Sequence, residues 1–200
     1  MRPFISGLVL AAGTSSRLGQ PKPLLPFGET TLLGRVLSQV RAAAVDQIVV
    51  VLGAAAAEIR RQVDLSQVTV AENPDFAEGC ASSYRTGLEA LDPHAEAVAV
   101  HLADQPGVET GSIDAVLAAW RRRPSGIALA SYRGRAGHPL IFARSLFASL
   151  ADLRGDKAAW KIVDAHPEWV QAVPLDQPAP ADLNTWEAYE AARVAARITP

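Results

Sequence analysis

The chain has 200 residues, of which 49% are hydrophobic and 20% charged, a balance typical of a folded domain and not of a disordered chain. Its 19 basic and 21 acidic residues give a net charge of -2, which argues against binding to nucleic acid or a membrane surface through bulk positive charge. A single cysteine, Cys80, excludes an internal disulfide and a zinc site built from several cysteines.

Short apolar runs alternate with longer amphipathic stretches along the whole chain. The apolar runs predict strands at 5–12, 47–52, 68–71, 97–102, 127–132, 139–142 and 170–174. Helical spacing of apolar residues predicts helices at 31–44, 54–63, 82–91, 110–122, 145–150, 158–165 and 186–197. This alternation predicts a three-layer α/β/α sandwich with a mainly parallel central sheet. In such sheets, ligands bind where the carboxyl ends of the strands meet.

One domain over residues 1–200 accounts for the whole pattern, since no linker-like stretch divides it. The proline-rich residues 174–180 predict a surface loop and not a domain boundary. Polar residues 13–17 interrupt the first apolar run, and no apolar stretch reaches about 18 residues. We therefore expect neither a targeting segment nor a membrane span, and a cytoplasmic location.

The loop after the first predicted strand carries the strongest functional signal. Residues 8–28 read LVLAAGTSSRLGQPKPLLPFG, in which small residues precede two cations, Arg17 and Lys22. Small side chains let backbone N–H groups approach phosphate oxygens, and the two cations add charge for the same oxygens. Neither GxxxxGK[ST] nor GxGxxG is present. The alternative is an ordinary polar connection from strand to helix, which the joint placement of glycines and cations disfavours.

Residues 10–22 fit the pattern LAAGxSxRxGxxK, which resembles the signature of the MobA-like nucleotidyltransferases. These enzymes transfer a nucleoside monophosphate from a nucleoside triphosphate to a phosphorylated acceptor. The resemblance is closer to the MocA-type molybdenum cofactor cytidylyltransferases, and it extends over nearly the whole chain. It implies a Rossmann-like nucleotidyltransferase fold, with residues 1–107 mainly binding the nucleotide and 108–200 mainly binding the acceptor. The nucleotide contacts that it implies are Leu10, Ala11, Ala12, Gly13, Arg17, Lys22, Ser83 and Asp104.

Asp104 follows the predicted strand 97–102 within the string LADQP, which resembles the metal-binding turn of this family. A carboxylate at the carboxyl end of a buried strand suits Mg²⁺, which binds one or two carboxylates together with phosphate oxygens. The alternative is a turn residue that caps the loop before Pro106.

The segment ADLNTWEAYE, residues 181–190, resembles the closing motif D-[IV]-[DN]-T-P-E-D of the family. Asp182 and Asn184 match its polar positions, and the resemblance implies them as metal ligands beside Asp104. Trp186 replaces the usual proline, so the match is partial. Asn184 and Thr185 would also form an ordinary helix N-cap, and the two roles are compatible.

Residues 72–88, ENPDFAEGCASSYRTGL, resemble the NPxxxxGxxxSxxxGL segment that lines the nucleoside pocket of the family. The resemblance assigns a base contact to Ser83. Alternatively, Ser82 and Ser83 cap the start of a helix. We expect Cys80 to fill apolar space and not to act as a nucleophile.

Two stretches in the second half resemble the acceptor side of the family, and they hold the implied acceptor contacts His138, Asp156 and Lys161. They are Gly-His-Pro at 137–139 and LRGDKAAWK at 153–161. His138 has a structural turn as its alternative role. Lys161 stands where the family has arginine. The neighbouring Trp160 either stacks on a flat ring such as a pterin or belongs to the core.

The resemblance implies an enzyme that transfers CMP from CTP to the phosphate of a molybdopterin-type cofactor and releases pyrophosphate. Arg17, Lys22 and Asp104 are its expected catalytic residues, Mg²⁺ its cofactor, and a molybdoenzyme that receives the product a further partner. Ala12 stands where guanylyltransferase relatives have glycine, and its methyl group favours CTP. The alternatives are a GTP-dependent enzyme, an enzyme acting on a sugar or polyol phosphate, and a non-catalytic nucleotide- or cofactor-binding chaperone.

Overall fold

The computed structural model describes residues 2–15, 18–155 and 158–196. The predicted sites at Arg17 and Asp156 lie outside these ranges. The strands are β1 Ile5–Ala11, β2 Pro26–Phe27, β3 Thr30–Thr31, β4 Gln47–Leu52, β5 Thr69–Glu72, β6 Ala97–Leu102, β7 Ile127–Tyr132, β8 Arg135–Ala143 and β9 Val170–Leu175. The α-helices are α1 Leu32–Ala42, α2 Ala56–Gln62, α3 Cys80–Glu89, α4 Thr110–Arg122, α5 Phe147–Ala151, α6 Ala158–Ala165 and α7 Trp186–Ala195.

A seven-stranded sheet has the order β5-β4-β1-β6-β8-β7-β9. Every pairing is parallel except the two that involve β8, so the prediction of a mainly parallel sheet is confirmed. The chain runs outward from β1 through β4 to β5, then returns to place β6 on the other side of β1. This reversal makes the crevice beyond the carboxyl ends of β1 and β6 the expected ligand site.

Helices cover both faces of the sheet, which confirms the three-layer sandwich. Helices α1, α2 and α4 pack on one face and α3, α5 and α6 on the other, each around its own apolar cluster. The central strand β1 is buried over its whole length, because strands flank it on both edges and helices cover both faces. Its near-continuous apolar run reflects this double burial.

The longest strand, β8, exceeds its prediction of 139–142, because residues 135–138 read as loop in the sequence. A tight turn at Arg133 and Gly134, with φ of 48° and 86°, pairs β8 antiparallel to β7. Residues 135–138 carry no apolar pattern that predicts a strand. They join β8 because the hairpin pairs their backbone with β7. His138 and the cis peptide bond that links it to Pro139 therefore lie inside the sheet and not in a loop.

Helix α3 begins at Cys80, with Gly79 at φ of 99° as its N-cap residue. The alternative that Ser82 and Ser83 cap this helix is therefore wrong, because both lie inside its first turns and are buried. Glycine takes the N-cap position because the backbone there adopts a positive φ.

The last helix, α7, packs on the small hairpin of β2 and β3, which the sequence did not predict. A separate apolar cluster joins them: Leu18, Leu25, Phe27, Leu32, Leu183 and Tyr189. The hydroxyl of Tyr189 donates a hydrogen bond to the carbonyl of Pro26. This packing returns the end of the chain to the loop that follows β1. In the part of the chain that the structure describes, no helix is long and apolar enough to cross a membrane.

Candidate active site

Three predicted site residues meet at one point in the crevice beyond β1 and β6. Lys22 Nζ donates hydrogen bonds to Asp104 Oδ2 at 2.8 Å and to Asn184 Oδ1 at 2.9 Å. The side chains of Lys22 and Asp104 are 15% and 21% exposed, so this ion pair is mostly shielded from water. Asp104 and Asn184 lie 82 and 162 positions from Lys22 in the chain, so only the tertiary fold brings the three side chains together.

Local structure fixes the approach of Lys22 and Asp104. Lys22 begins a short 3-10 helix, Lys22–Leu24, and its backbone N–H donates to Ser15 Oγ at 2.9 Å. Asp104 follows β6, which pairs directly with β1, and the N–H of Ala103 donates to the carbonyl of Leu10 at 3.1 Å. Asp104 is therefore held beside the first residues of the glycine-containing loop.

Asn184 reaches the same point through the packing of α7. Thr185 is the N-cap of this helix and accepts a hydrogen bond from the N–H of Ala188 at 3.2 Å, which leaves Asn184 available to Lys22. Leu183 is 1% exposed, and its N–H donates to the carbonyl of Asp104 at 3.0 Å. The closing segment is thus tied to the Asp104 turn by a backbone bond and a buried side chain.

The oxygens of Asp104 and Asn184 suit a hard divalent cation, because they already converge on a single cation, the ammonium of Lys22. Among residues 2–15, 18–155 and 158–196, no group of three or more His, Cys, Asp or Glu is placed to hold a metal ion. Mg²⁺ does not need such a cage, since it keeps waters and binds substrate phosphates beside one or two protein oxygens. The donor set therefore fits a metal that is shared with a phosphorylated ligand.

The floor of the crevice is the end of β1. Leu10, Ala11 and Ala12 are buried, whereas Gly13 is exposed, and a methyl group built on it meets no atom of the described residues beyond its chain neighbours within 4 Å. Gly53 lies against Ala12: a methyl group on Gly53 would come within 2.5 Å of the Ala12 carbonyl oxygen. At the end of β1, Ala12 is thus packed against Gly53, whereas Gly13 is exposed.

A buried polar cluster lies where the nucleoside segment was predicted. Asn73 Nδ2 donates to Ser82 Oγ at 2.8 Å and to Ser83 Oγ at 3.1 Å, and Asn73 Oδ1 accepts from the N–H of Asp75. The N–H of Asn73 donates to the carbonyl of Leu52 at 2.8 Å. Asn73 therefore fixes the orientation of both serines relative to the sheet, a role the sequence did not assign to it.

A cavity of about 190 Å³ lies beside the Asp104 turn, between the ends of β6 to β8, helix α6 and residues 179–182. Its polar lining includes Gln105, His138 and Asp182. Gln105 Nε2 donates a short hydrogen bond to Asp182 Oδ1, and Gln105 is only 9% exposed. Asp182, predicted as a metal ligand, therefore faces this cavity, and Gln105 is a lining residue that the sequence did not single out.

His138, which lines this cavity, is buried and uncharged at neutral pH. Burial lowers its pKa to about 4, against the opposing effect of Asp182. Its carbonyl accepts from the hydroxyl of Tyr132 at 2.7 Å, and its ring meets that of Trp160 edge to face at 5.9 Å. Trp160 packs against the core beneath α6 and also lines the cavity. Its stacking on a flat ring stays a prediction.

Lys161, the neighbour of Trp160, turns away from this lining. Its Nζ donates to the carbonyl of Arg154 at 2.7 Å, and the residue is exposed. Of the three predicted acceptor contacts, the structure brings His138 to the cavity, while Asp156 lies outside the described residues. Acceptor binding by Lys161 stays a prediction.

Comparison with known proteins identifies the family of this chain. Residues 7–183 match the MobA-like NTP transferase domain. The chain belongs to this family. The matched span includes the crevice residues Lys22 and Asp104 and ends at Leu183, within the closing segment.

Two curated relatives carry different activities in their names. Nicotine blue oxidoreductase of Paenarthrobacter nicotinovorans is 30% identical over 195 residues, which cover 92% of this chain and 94% of that protein. Molybdenum cofactor cytidylyltransferase of Escherichia coli is 30% identical over 141 residues, which cover 70% of each chain. This chain is thus similar to proteins named for different reactions.

The solved structures agree over almost the full chain. A homologue, from Mycobacterium sp. strain JC1, of Mycobacterium tuberculosis Rv0371c matches with a TM-score of 0.92 and 38% identity, covering 100% of both chains. Rv0371c itself, as a complex with manganese, matches with a TM-score of 0.84 and 35% identity, covering 94% of this chain and 97% of that one. The fold prediction is confirmed, and a related protein has been solved with a divalent metal.

Proposed function

We propose that this protein is a nucleotidyltransferase that moves CMP from CTP to the phosphate of a molybdopterin-type cofactor and releases pyrophosphate. The observation that carries the proposal is the convergence of Lys22, Asp104 and Asn184 in the crevice beyond β1 and β6. A cation, a carboxylate and an amide oxygen at this position suit a triphosphate and its metal. The family and its cytidylyltransferase relative support the same assignment.

In the proposed reaction, an oxygen of the acceptor phosphate attacks the α-phosphorus of CTP. A bond forms between these two atoms, the bond from the α-phosphorus to its bridging oxygen breaks, and pyrophosphate leaves with the bonding electrons. The acceptor oxygen is already anionic, so no general base is required. Catalysis then consists of positioning the two substrates and neutralising charge.

This chain supplies the positioning and part of the charge. Backbone N–H groups of Ala12 and Gly13, beyond the end of β1, would face the phosphates, with Lys22 and Arg17 as the neutralising cations. Asp104 and Asn184 would hold Mg²⁺, and the bound metal would supply Lewis-acid charge for the phosphate oxygens. Asp182, the other predicted ligand, faces the cavity and bonds Gln105, so we assign it to the acceptor side. Ser83, whose hydroxyl accepts a hydrogen bond from Asn73, would contact the base.

The preference for CTP rests on Ala12. Ala12 is buried and Gly53 lies against it at the end of β1. In the proposed complex, the methyl group of Ala12 would narrow the space available to the base. A methyl group of this kind is worth about 1–3 kcal/mol of discrimination between nucleotides.

The cavity beside Asp104 is the proposed acceptor site, in keeping with the division of the chain into a nucleotide-binding part, 1–107, and an acceptor-binding part, 108–200. Its walls include an aromatic ring, Trp160, and an uncharged imidazole, His138. The ring of Trp160 suits a flat ligand, and Arg135, which also lines the cavity, offers positive charge to an anionic group. This favours the pterin-type acceptor over a sugar or polyol phosphate.

The deciding experiment measures pyrophosphate release from each of CTP, GTP, ATP and UTP with Mg²⁺ and freshly prepared molybdopterin. We expect release with CTP only when the acceptor is present, together with a CMP-linked pterin detected by mass spectrometry. Release with GTP alone would assign the purine nucleotide. Tight CTP binding without release would support the non-catalytic chaperone, and the relative named as an oxidoreductase makes this direct measurement of transfer necessary.

A further inference from the structure

The ammonium of Lys22 occupies the point at which the oxygens of Asp104 and Asn184 meet, which is the point a divalent cation would need. It lies 2.8 Å from one oxygen and 2.9 Å from the other. One position between two oxygens cannot hold both an ammonium group and a metal ion, because the two cations repel each other at contact distance. Lys22 and the metal therefore compete for these oxygens.

The chain also holds Lys22 in this position. The backbone N–H of Lys22 is tied to Ser15 Oγ, and Pro21 and Pro23 restrict the backbone on either side. Only the four-carbon side chain remains to move.

We propose that Lys22 keeps the Asp104–Asn184 oxygen pair closed to divalent cations until a triphosphate draws its ammonium away. Phosphate oxygens in the crevice offer the ammonium a stronger set of acceptors and simultaneously bring the metal their own ligands. Metal and nucleotide then bind as a unit, and the free protein does not hold the metal. This deepens the proposed function, on which it rests for the identity of the anion.

The first test measures Mn²⁺ binding without any nucleotide, by the electron paramagnetic resonance signal of free Mn²⁺. Mn²⁺ prefers the same oxygen ligands as Mg²⁺ and is directly detectable. We expect wild type to bind weakly and Lys22→Met, which keeps the length of the side chain, to bind at least tenfold more tightly. Arg2→Met is the charge-matched control, since Arg2 pairs with Asp46 at the opposite end of the strands.

A double variant identifies the site of the gained metal. Lys22→Met with Asp104→Asn should lose the tighter Mn²⁺ binding, because the carboxylate that receives the metal is gone. Circular dichroism of both variants checks that they fold. Equal Mn²⁺ affinity of Lys22→Met and Arg2→Met would overturn the proposal, as would tighter binding that survives in the double variant.

The second test follows the ammonium itself. The chain has three lysines, Lys22, Lys157 and Lys161, so selective ¹³C labelling of lysine Cε gives few signals, and Lys22→Met assigns the one of interest. Inorganic pyrophosphate added without metal should move the Lys22 signal. An unmoved signal at saturating pyrophosphate would overturn the exchange step. Neither test measures transfer, so a failure of the proposed reaction would be seen separately in the pyrophosphate-release experiment.

Discussion

Two neighbouring regions of this protein are built in opposite ways. The crevice beyond β1 and β6 is charged and holds its groups on loops, with Lys22 paired to Asp104 and Asn184. The adjoining cavity is enclosed by the sheet and α6, and its histidine, His138, is buried and uncharged. The contrast teaches how one fold can separate two tasks: the charged crevice suits a triphosphate, whereas a cavity lined by the aromatic ring of Trp160 suits recognition of a flat ring.

The same isosteric change in the two regions gives the largest expected contrast. Asp104→Asn should lower kcat about 10²–10³-fold, because it removes charge stabilisation at the phosphates. Asp182→Asn should instead raise the KM for the acceptor about tenfold while kcat changes little, because Asp182 faces the cavity and bonds Gln105. Steady-state kinetics with each substrate varied separately distinguishes the two. If Asp182→Asn lowered kcat as much as Asp104→Asn, Asp182 would act as a metal ligand and not as an acceptor contact.

Leu183 is the buried link between the regions, so its truncation should affect both stability and activity. Leu183→Ala should cost about 2–5 kcal/mol of unfolding free energy and loosen the placement of Asn184. Urea unfolding and kcat measure the two effects. Leu150→Ala is the matched control, a fully buried leucine of α5 in a different apolar cluster. It should cost similar stability with kcat retained, and equal losses of kcat in both variants would show that the effect is not specific to the closing segment.

Two buried histidines should make the free energy of unfolding of this protein sensitive to acid. Burial lowers the pKa of His138 to about 4 and that of His101 to about 3, below the ordinary value of 6.5. The unfolded chain therefore binds more protons in this interval, and stability should fall as pH drops from about 6.5 to 4, by roughly 3 kcal/mol for each histidine. Urea unfolding at pH 7 and pH 4.5 measures the loss.

The variant His101→Gln should flatten this pH dependence, whereas His94→Gln should leave it unchanged, because the side chain of His94 is 88% exposed. Identical slopes for the two variants would contradict an origin in burial.

The smallest expected effect concerns the choice of nucleotide. Ala12→Gly should reduce the preference for CTP over GTP about tenfold, since it removes the methyl group that narrows the floor of the crevice. The ratio of kcat/KM for CTP and GTP measures this. Gly13→Ala is an informative companion: among the described residues the added methyl group meets no atom beyond its chain neighbours, so stability should hold while nucleotide affinity falls. Unchanged affinity in Gly13→Ala would place the phosphates elsewhere.

Elements with strong apolar periodicity were predicted almost to the residue. Helix α4 and strand β7 have the predicted bounds, because packing on one face and burial on both faces leave clear patterns in the sequence. The hairpin of β2 and β3 was missed, since two-residue strands carry no period. The polar start of β8 was missed because its pairing with β7 is specified by the turn at Arg133 and Gly134.

The sequence by itself determined the fold class, the family and the loop that carries Lys22, because these depend on local patterns of small, charged and apolar residues. Only the tertiary structure decided that Asn184 meets Lys22 while Asp182 faces the cavity. Asp182 and Asn184 flank Leu183 in the chain. The directions of their two side chains depend on the burial of Leu183 against the β2–β3 hairpin. Such a contact between distant segments leaves no periodic trace in a single chain, since each partner is apolar for reasons that its own segment does not reveal.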